Sequence, residues 1–300
     1  MSINGVGFFR KQKFIDNANL FKCPICSKEM EISEIRSLVC LDNHSFDLAK
    51  KGYVNLLASS RKDEYDKRML EARKQVCSKG FFDPLLEKIN SLVLENISNF
   101  QSLPIKILDI GCGEGSHLAR ILASLENLGK LTAENITGIG IDISKEGIQI
   151  ASKSYHHIVW CVADLARIPI KNNQIEIILN ILSPSNYSEF KRVLVNNGLL
   201  LKVVPGADYL KELRIVFYDQ TDKETYSNEQ VIKHFSNSFE IINRSQVKYE
   251  FAVNEEILKE VIKMSPLSWG TEGEKQEETL TSGMSKITVD FTIILAKNSI

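Results

Sequence analysis

Three cysteines and one histidine occur with a spacing that is typical of a zinc site. Cys23 and Cys26 form a CxxC pair, Cys40 and His44 form a CxxxH pair, and thirteen residues separate the two pairs. A CxxC turn places two thiolates on one side of a tight loop, and the second pair completes a tetrahedral Cys3His set. Because four protein ligands leave no open position for catalysis, we predict a structural zinc module. A redox CxxC is the alternative, but the βαβ context of such a pair is missing here.

A glycine-rich turn at residues 111–115 predicts a second site, for a nucleotide-like cofactor. The turn follows the apolar run Ile105–Ile110 and precedes a helix predicted from Ser116, which together make the first unit of a doubly wound α/β fold. Asp109, just before the turn, would repel a pyrophosphate but suits a ligand with an ammonium and a sulfonium group. The third glycine of a dinucleotide fingerprint would fall at Ser116. Both points favour S-adenosylmethionine over NAD.

Polar residues also follow the next three predicted strands. Asp142 ends the second strand, where a carboxylate can accept hydrogen bonds from ribose hydroxyls. Asp164 follows the third strand and is expected to bind the adenine amino group, and Ser183 follows the fourth. Since ligands of this fold bind at the carboxyl ends of the strands, we expect these side chains to share one cleft. For each carboxylate taken alone, a helix N-cap is the alternative role.

The elements that must position these groups predict an α/β protein with two parts. The larger part is expected to be a doubly wound, Rossmann-like sheet of the class I methyltransferase type, and the smaller an N-terminal zinc-ribbon module. The predicted boundaries are residues 1–60 for the zinc-binding module, 61–100 for connecting helices and 101–300 for the methyltransferase domain. After the parallel strands we predict two short strands, at residues 239–243 and 248–253.

Charge and hydropathy restrict the partners of the chain. The net charge is −1, yet residues 1–85 carry 15 Lys/Arg and 11 Asp/Glu, a balance of +4 that indicates an anionic partner near the front. A solvated charged surface explains the same balance. Neither a bilayer-spanning apolar run nor a secretory pattern is found, so we predict no membrane association and a cytoplasmic location. Residues 270–285, rich in Gly, Glu, Thr and Ser, predict a mobile loop.

Several segments together resemble one known family, the bacterial 23S ribosomal RNA guanine-N1-methyltransferases. Besides the two zinc pairs, the segments that carry the resemblance are Phe46–Leu57 (FDLAKKGYVNLL), Met69–Arg73, Gly80–Leu85, Leu108–Gly115, Pro205–Leu210 and Met264–Trp269. The combination of the zinc pairs with FDxAKxGYVNLL is far more specific than the cofactor loop. The resemblance implies a zinc ribbon that helps to grip a 23S rRNA hairpin and a catalytic domain that methylates N1 of a guanine.

The resemblance also implies particular cofactor contacts, at Phe82, Gly113, Glu114 and Tyr209. Phe82 stands where a tyrosine can occur in the family, and Tyr209 stands where a histidine can occur. These departures leave the fold prediction intact. With the residues inferred from the cofactor loop and the strand ends, the predicted cofactor-binding set is Phe82, Asp109, Gly111, Gly113, Glu114, Gly115, Asp142, Asp164 and Tyr209.

The predicted reaction sets two demands on the site. Guanine N1 lies on the Watson–Crick edge, so the base must be unpaired or flipped out. N1 also carries a proton at neutral pH, and no convincing general base is visible; Ser183 and Asn186 are candidates that could orient the base. Candidate stacking rings are Phe82, Tyr187 and Trp269, although core packing is the more frequent role for each ring alone.

Two other functions fit parts of the sequence. One is methylation of a small molecule or a protein, with the zinc module as a dimerisation element, and a homodimer is an open prediction in any case. The other is a non-catalytic zinc-ribbon RNA-binding scaffold with a vestigial cofactor fold. The intact loop from Asp109 to Gly115 and the carboxylate of Asp142 argue against the scaffold. Cofactor binding without RNA binding would favour the first alternative, and the reverse would favour the second.

Overall fold

The computed structural model describes residues 11–58, 66–100, 103–129, 131–132, 134–218, 226–268 and 273–298. The strands are β1 (Met30–Ser33), β2 (Ser37–Cys40), β3 (Ser45–Asp47), β4 (Tyr53–Asn55), β5 (Ile105–Ile110), β6 (Ile136–Asp142), β7 (Val159–Val162), β8 (Ile175–Ile181), β9 (Leu194–Pro205), β10 (Glu240–Ala252) and β11 (Lys286–Lys297). The helices are α1 (residues 11–17), α2 (Lys67–Ser78), α3 (Asp83–Asn96), α4 (Ser116–Asn127), α5 (Lys145–Ser154), α6 (Tyr187–Val193), α7 (Lys211–Tyr218), α8 (Glu229–Ser236), α9 (Glu255–Met264) and α10 (Gly273–Thr281).

Eight of the described strands form one sheet in the order β10-β11-β9-β8-β5-β6-β7-β4. The strands from β9 to β4 in this order run parallel, and β10 and β11 complete the sheet in antiparallel pairs. Chain order runs outward from β5 in both directions, through β6 and β7 on one side and β8 and β9 on the other. The doubly wound α/β prediction is therefore confirmed, and the switch point between β5 and β8 is where such a sheet opens a cleft.

The central strands are buried on both faces. Every residue of β8 is buried, and β-branched residues such as Ile175 and Ile177 supply most of its side chains, as expected of a parallel strand covered on both sides. Along β5, Ile107 packs into one core cluster and Leu108 into another. The first cluster includes residues of α2, α3, α4, α5, α7 and α9, and the second includes residues of α6, α8 and the zinc module. The zinc module thus covers part of one sheet face.

The zinc module is joined to the eight-stranded sheet at two places. Its own sheet is antiparallel, with β1 pairing β2 and β2 pairing β3. The chain then enters β4, which pairs parallel with β7 at the edge of the large sheet, so Tyr53–Asn55 belong structurally to that sheet although they precede the predicted boundary at residue 60. A second junction lies before β1, where the backbone N–H of Lys22 donates to Pro169 (3.1 Å) and that of Lys171 to Leu20 (2.9 Å).

Two local predictions were wrong. The predicted strands at 239–243 and 248–253 are one strand, β10, which pairs with β11 along its length and alternates in burial because only one of its faces is covered. Polar residues within the strand therefore do not end it. The predicted loop over 270–285 contains α10 (Gly273–Thr281), whose Glu, Lys and Gln residues are good helix formers.

Residues 61–100 were predicted to form connecting helices, and the described part of this segment contains α2 and α3. Asp66 caps α2 by accepting a hydrogen bond from the backbone N–H of Arg68 (3.0 Å), and Pro84 occupies the first turn of α3, where its missing N–H costs nothing. Helix α2 also lies over the switch point, so it takes part in the site. Among the described helices, none combines the length and the hydrophobicity that a membrane span needs.

Candidate active site and metal centre

The four predicted zinc ligands lie close together at one end of the small sheet formed by β1–β3. Their ligand atoms all lie within 4.8 Å of one another. Cys23 Sγ is 3.6 Å from His44 Nδ1, Cys26 Sγ is 3.6 Å from Cys40 Sγ, and Cys40 Sγ is 3.4 Å from His44 Nδ1. Tetrahedral Zn2+ with bonds of about 2.3 Å to sulfur and about 2.0–2.1 Å to nitrogen sets ligand separations of roughly 3.5–3.8 Å. The donor set therefore fits a closed structural zinc site.

Three glycines shape the predicted cofactor loop. Gly111, Gly113 and Gly115 have φ angles of 76°, 55° and 83°, in the left-handed region that side chains disfavour. At Gly111 an added Cβ would lie 2.5 Å from the Cβ of Ser183. These backbone angles turn the chain sharply from β5 into α4 and keep the loop free of side chains on the side of the cleft.

Asp142 ties the glycine loop to the end of β6. One carboxylate oxygen accepts from the backbone N–H of Gly113 (2.7 Å) and the other from that of Ser144 (2.8 Å). The side chain is half-buried, and it lines a cavity of about 380 Å3 at the carboxyl ends of β5, β6, β7 and β8. Predicted site residues that line this cavity are Gly111, Gly113, Asp142, Asp164 and Ser183. Two carboxylates outnumber the one guanidinium in its wall, that of Arg73, so the cavity is better suited to a cationic ligand than to a pyrophosphate.

Two further acids lie behind the loop rather than in the cavity wall. Asp109 and Glu114 are 2% and 1% exposed. Burial raises the pKa of Asp109 to about 7, and the nearby Arg73 guanidinium offsets part of the shift. Burial also raises the pKa of Glu114, whose carboxylate accepts from the hydroxyl of Ser116 (2.5 Å). A cationic ligand in front of the loop would favour the ionised form of both acids.

A larger cavity, of about 610 Å3, adjoins the first. Phe82 and Tyr209, both predicted as cofactor contacts, line it, and both rings pack against Phe291 with centroids 6.0 Å and 5.0 Å away. The predicted stacking ring of Tyr187 lines it as well. The two cavities share wall residues, which are Met69, Arg73, Leu182, Ser183 and Pro184. Ligands in the two cavities would therefore meet beside Ser183.

Some predicted site residues have other positions in the structure. Asn186 lines neither cavity; its side chain caps α6 by accepting from the backbone N–H of Glu189 (3.3 Å). Gly115 also lies outside both walls, because it precedes α4 and its backbone faces the fully buried Trp160. Trp269, predicted as a stacking ring, lies outside the described residues. Asp164 both lines the smaller cavity and accepts from the backbone N–H of Ala166 (2.9 Å), so it fills its alternative capping role as well.

Three polar residues of the site were not predicted to act there. Arg73 lines both cavities, with its guanidinium 5.9 Å from the Phe82 ring centroid. Lys202 lines the larger cavity from the middle of β9, and burial lowers its pKa to about 8. Asn180, on β8, is fully buried and donates to the hydroxyl of Ser183 (2.6 Å). In the sequence, Lys202 is the one charged residue of the apolar run Leu199–Val204. A charged side chain in a buried strand is unfavourable unless it has a function, so this pattern could have indicated Lys202.

The fold and the cleft define the class of this protein. A glycine-rich turn after the first strand of a doubly wound sheet, an acidic cavity at the switch point and a Cys3His ribbon are the features of an S-adenosylmethionine-dependent methyltransferase with a zinc module. Residues 107–198 match the family profile described as "Methyltransferase domain", and residues 21–64 match the one described as "RlmA, N-terminal".

Relatives extend the match to almost the whole chain. The Bacillus subtilis protein YxjB, which bears the provisional name of a 23S rRNA guanine-N1-methyltransferase, is 38% identical over 92% of this chain and 96% of its own length. The Streptomyces fradiae 23S rRNA (guanine(748)-N(1))-methyltransferase is 29% identical, with the same two coverages. The chain belongs to the family of 23S rRNA guanine-N1-methyltransferases.

Proposed function

We propose that this protein transfers a methyl group from S-adenosylmethionine to N1 of a guanine in a 23S rRNA hairpin loop. The observation that carries the proposal is the pair of cavities with a common wall at Ser183. An acidic cavity for a cationic donor and a larger, aromatic-lined cavity for a flat base can hold the two reactants in contact. The Streptomyces fradiae relative, named for this reaction at guanine 748, supports the same choice of atom.

The donor is assigned to the smaller cavity. S-adenosylmethionine supplies there a methyl group on a positively charged sulfur. Gly111 and Gly113 allow close approach of the backbone, Asp142 accepts from the ribose hydroxyls and Asp164 from the adenine amino group. Asp109, Glu114 and Gly115 act from behind the loop, the acids by their charge and the glycine by the turn it permits. Phe82 and Tyr209 extend the site into the larger cavity.

The target guanine is assigned to the larger cavity. Its N1 must leave the Watson–Crick pair, and the ring of Tyr187 offers an apolar surface for the unpaired base. Of the two predicted orienting residues, only Ser183 lines the cavity. Its hydroxyl donates to the carbonyl of Ile110 (2.6 Å) and accepts from Asn180 (2.6 Å), so its second lone pair can accept from the base. Asn186 is assigned a capping role instead.

The rest of the chain is assigned to RNA capture. Helix α2 carries four basic residues, Lys67, Arg68, Arg73 and Lys74, against one acidic residue, and Arg73 lines both cavities, so phosphates can bind next to the cleft. The predicted division into a zinc-binding RNA-recognition module, connecting helices and a methyltransferase domain is kept, with β4 assigned to the sheet. A cytoplasmic location and a homodimer stay predictions, and light scattering of the purified protein would decide the second.

Mapping of the modified nucleotide tests the proposed function. The purified, zinc-loaded protein is incubated with unmodified ribosomal RNA and S-adenosylmethionine, and the RNA is then reverse-transcribed. Because N1-methylguanine cannot pair normally, a new cofactor-dependent stop at one 23S guanine is expected. Methyl incorporation without a stop would mean that another atom is modified. Cofactor binding with no incorporation into RNA would favour a small-molecule or protein substrate.

Asp142→Ala is expected to weaken S-adenosylmethionine binding by about 10- to 150-fold, because hydrogen bonds to a charged group contribute about 1.5–3 kcal/mol. Asp142→Asn keeps one acceptor oxygen and should lose less. Calorimetric titration with the cofactor gives the dissociation constants, and thermal unfolding of the free protein gives the effect on folding. Unchanged dissociation constants for both variants would remove Asp142 from the cofactor site.

Cofactor affinity is expected to rise with pH up to about 7, by as much as about tenfold per pH unit. Burial raises the pKa of Asp109 to about 7, and a cationic ligand binds better when this carboxyl is ionised. The sign for stability is opposite: the folded pKa exceeds the ordinary value of 3.8, so the free protein loses stability as pH rises from about 4 to about 7. Asp109→Asn should make both the cofactor affinity and the stability less dependent on pH. Glu114→Gln measures how much Glu114 contributes to the same pH dependences. Equal pH slopes for wild type and Asp109→Asn would contradict the assignment.

A further inference from the structure

Lys202 is a buried lysine in the wall of the larger cavity. It lies in the middle of β9, is 4% exposed and lines the cavity assigned to the target base. Its Nζ donates to Asn180 Oδ1 (2.6 Å) and to the carbonyl of Ser183 (3.1 Å). No carboxylate of the described residues forms an ion pair with it.

The stability of the fold does not explain a buried lysine at this position. A buried charge without a counter-ion destabilises the folded state, and an apolar residue would fit the strand between Leu201 and Val203 better. An ammonium group has three N–H donors, and the acceptors on Asn180 and Ser183 use two of them. The third donor is available to a ligand in the cavity. The position therefore indicates an interaction with a bound group that is an acceptor or becomes negative.

Asn180 fixes where the ammonium group lies. Its amide nitrogen donates to the carbonyls of Ile110 (3.3 Å) and Pro184 (2.9 Å) and to the hydroxyl of Ser183. Its Oδ1 accepts from the hydroxyl of Ser185 (2.9 Å) as well as from Lys202, and these bonds connect the lysine to the wall shared by the two cavities. Asn180 is thus a positioning residue, and the ammonium group is held beside the place where donor and base meet.

We propose that Lys202 is a catalytic residue that donates a hydrogen bond to O6 of the target guanine and stabilises the negative charge formed when N1 loses its proton. The assignment rests on the proposed function. The N1 proton leaves to water, and its electron pair stays on the base, shared between N1 and O6. That pair forms the new N1–C bond as the C–S bond breaks, and the electrons of the broken bond stay on sulfur. Because the base is neutral before and after, the lysine acts mainly on the transition state.

Two variants test the assignment by single-turnover methylation. Lys202→Met keeps an unbranched side chain as far as Cε and removes the charged ammonium group, and its rate is expected to fall by about 100- to 1000-fold, as when one donor to a developing oxyanion is lost. Cofactor and RNA dissociation constants and the melting temperature are expected to be equal to or better than those of wild type. Lys202→Ala should regain rate when n-propylammonium, the missing part of the side chain, is added, while n-propanol should have no effect.

Three other outcomes are possible, and each would contradict the proposal or a part of it. A wild-type protein that forms no N1-methylguanine overturns the proposed function and the lysine assignment with it. An active wild type with a Lys202→Met rate within about threefold, less than 1 kcal/mol, overturns the lysine assignment alone. A lower melting temperature and weaker cofactor binding in both variants, without rescue by the amine, would assign Lys202 a purely structural role.

Discussion

Replacement of Cys23 by serine is expected to release zinc, unfold the ribbon sheet of β1–β3 and abolish RNA methylation. Structural zinc contributes about 10–16 kcal/mol of apparent binding free energy to modules of this kind, far more than three short strands can replace. The affinity for S-adenosylmethionine is expected to change by less than about tenfold, since the smaller cavity is built by the ends of β5–β8. Zinc content, cofactor titration and RNA methylation are measured on the same preparation.

Cys77→Ser is the matched control for the zinc experiment. Cys77 is buried in α2, outside the cluster of zinc ligands, and its sulfur accepts from Arg120 (3.7 Å), a bond that a hydroxyl can also make. The control should keep one zinc per chain and its RNA methylation. Full RNA methylation by zinc-free Cys23→Ser would show that the ribbon is dispensable for the substrate. Loss of cofactor binding together with zinc would show instead that the two parts fold as one unit.

Replacement of Gly115 by alanine is expected to lower the melting temperature by on the order of 10 °C. An added Cβ would lie 2.6 Å from the Trp160 ring and 2.9 Å from the Cβ of Ala151, and φ is 83°. Left-handed backbone costs a non-glycine residue about 1–2 kcal/mol, and overpacking a core adds about 1–3 kcal/mol. Each kcal/mol shifts the melting temperature of a protein of this size by about 2–4 °C. Because the glycine loop must shift to relieve the contact, cofactor affinity should fall too.

Gly129→Ala separates the effect of the left-handed backbone from the effect of overpacking. Gly129 has a φ of 68°, but no described atom would lie within 4 Å of an added Cβ. This variant should show the backbone cost alone, a fall of only a few degrees, about 2–8 °C, with normal cofactor affinity. Thermal unfolding of both variants with and without cofactor is the measurement. Equal melting temperatures for the two variants would mean that Trp160 moves aside at little cost.

The tight join between ribbon and sheet bears on how RNA is recognised. Phe14 and Phe21, which precede β1, are fully buried in the core cluster that covers one sheet face. Arg167, which follows the cavity-lining residue Ala166, donates to the hydroxyl of Ser27 in the ribbon (3.3 Å). The ribbon therefore has a fixed position relative to the cleft, and an RNA that it binds would be presented to the site in a defined orientation.

The Cys3His set, the doubly wound fold and the family could all be predicted from the sequence. These features are local: a CxxC turn, a strand followed by a glycine turn, and a carboxylate at a strand end each act over a few residues, where side-chain type decides backbone geometry. The acidic residue after β6 and the serine after β8 could be assigned to one cleft because parallel strands align their carboxyl ends at one edge of the sheet.

The division of the site into two cavities and the side chains that line them could not be predicted from the sequence. Asp109 and Glu114 differ from Asp142 in burial, which depends on α2 packing over the loop from far along the chain. Lys202 lines the larger cavity because β9 pairs with β8, and that pairing places its ammonium group beside Asn180. Contacts between residues distant in sequence leave no periodic signal, so pairing and packing had to be seen before the lysine could be given a role.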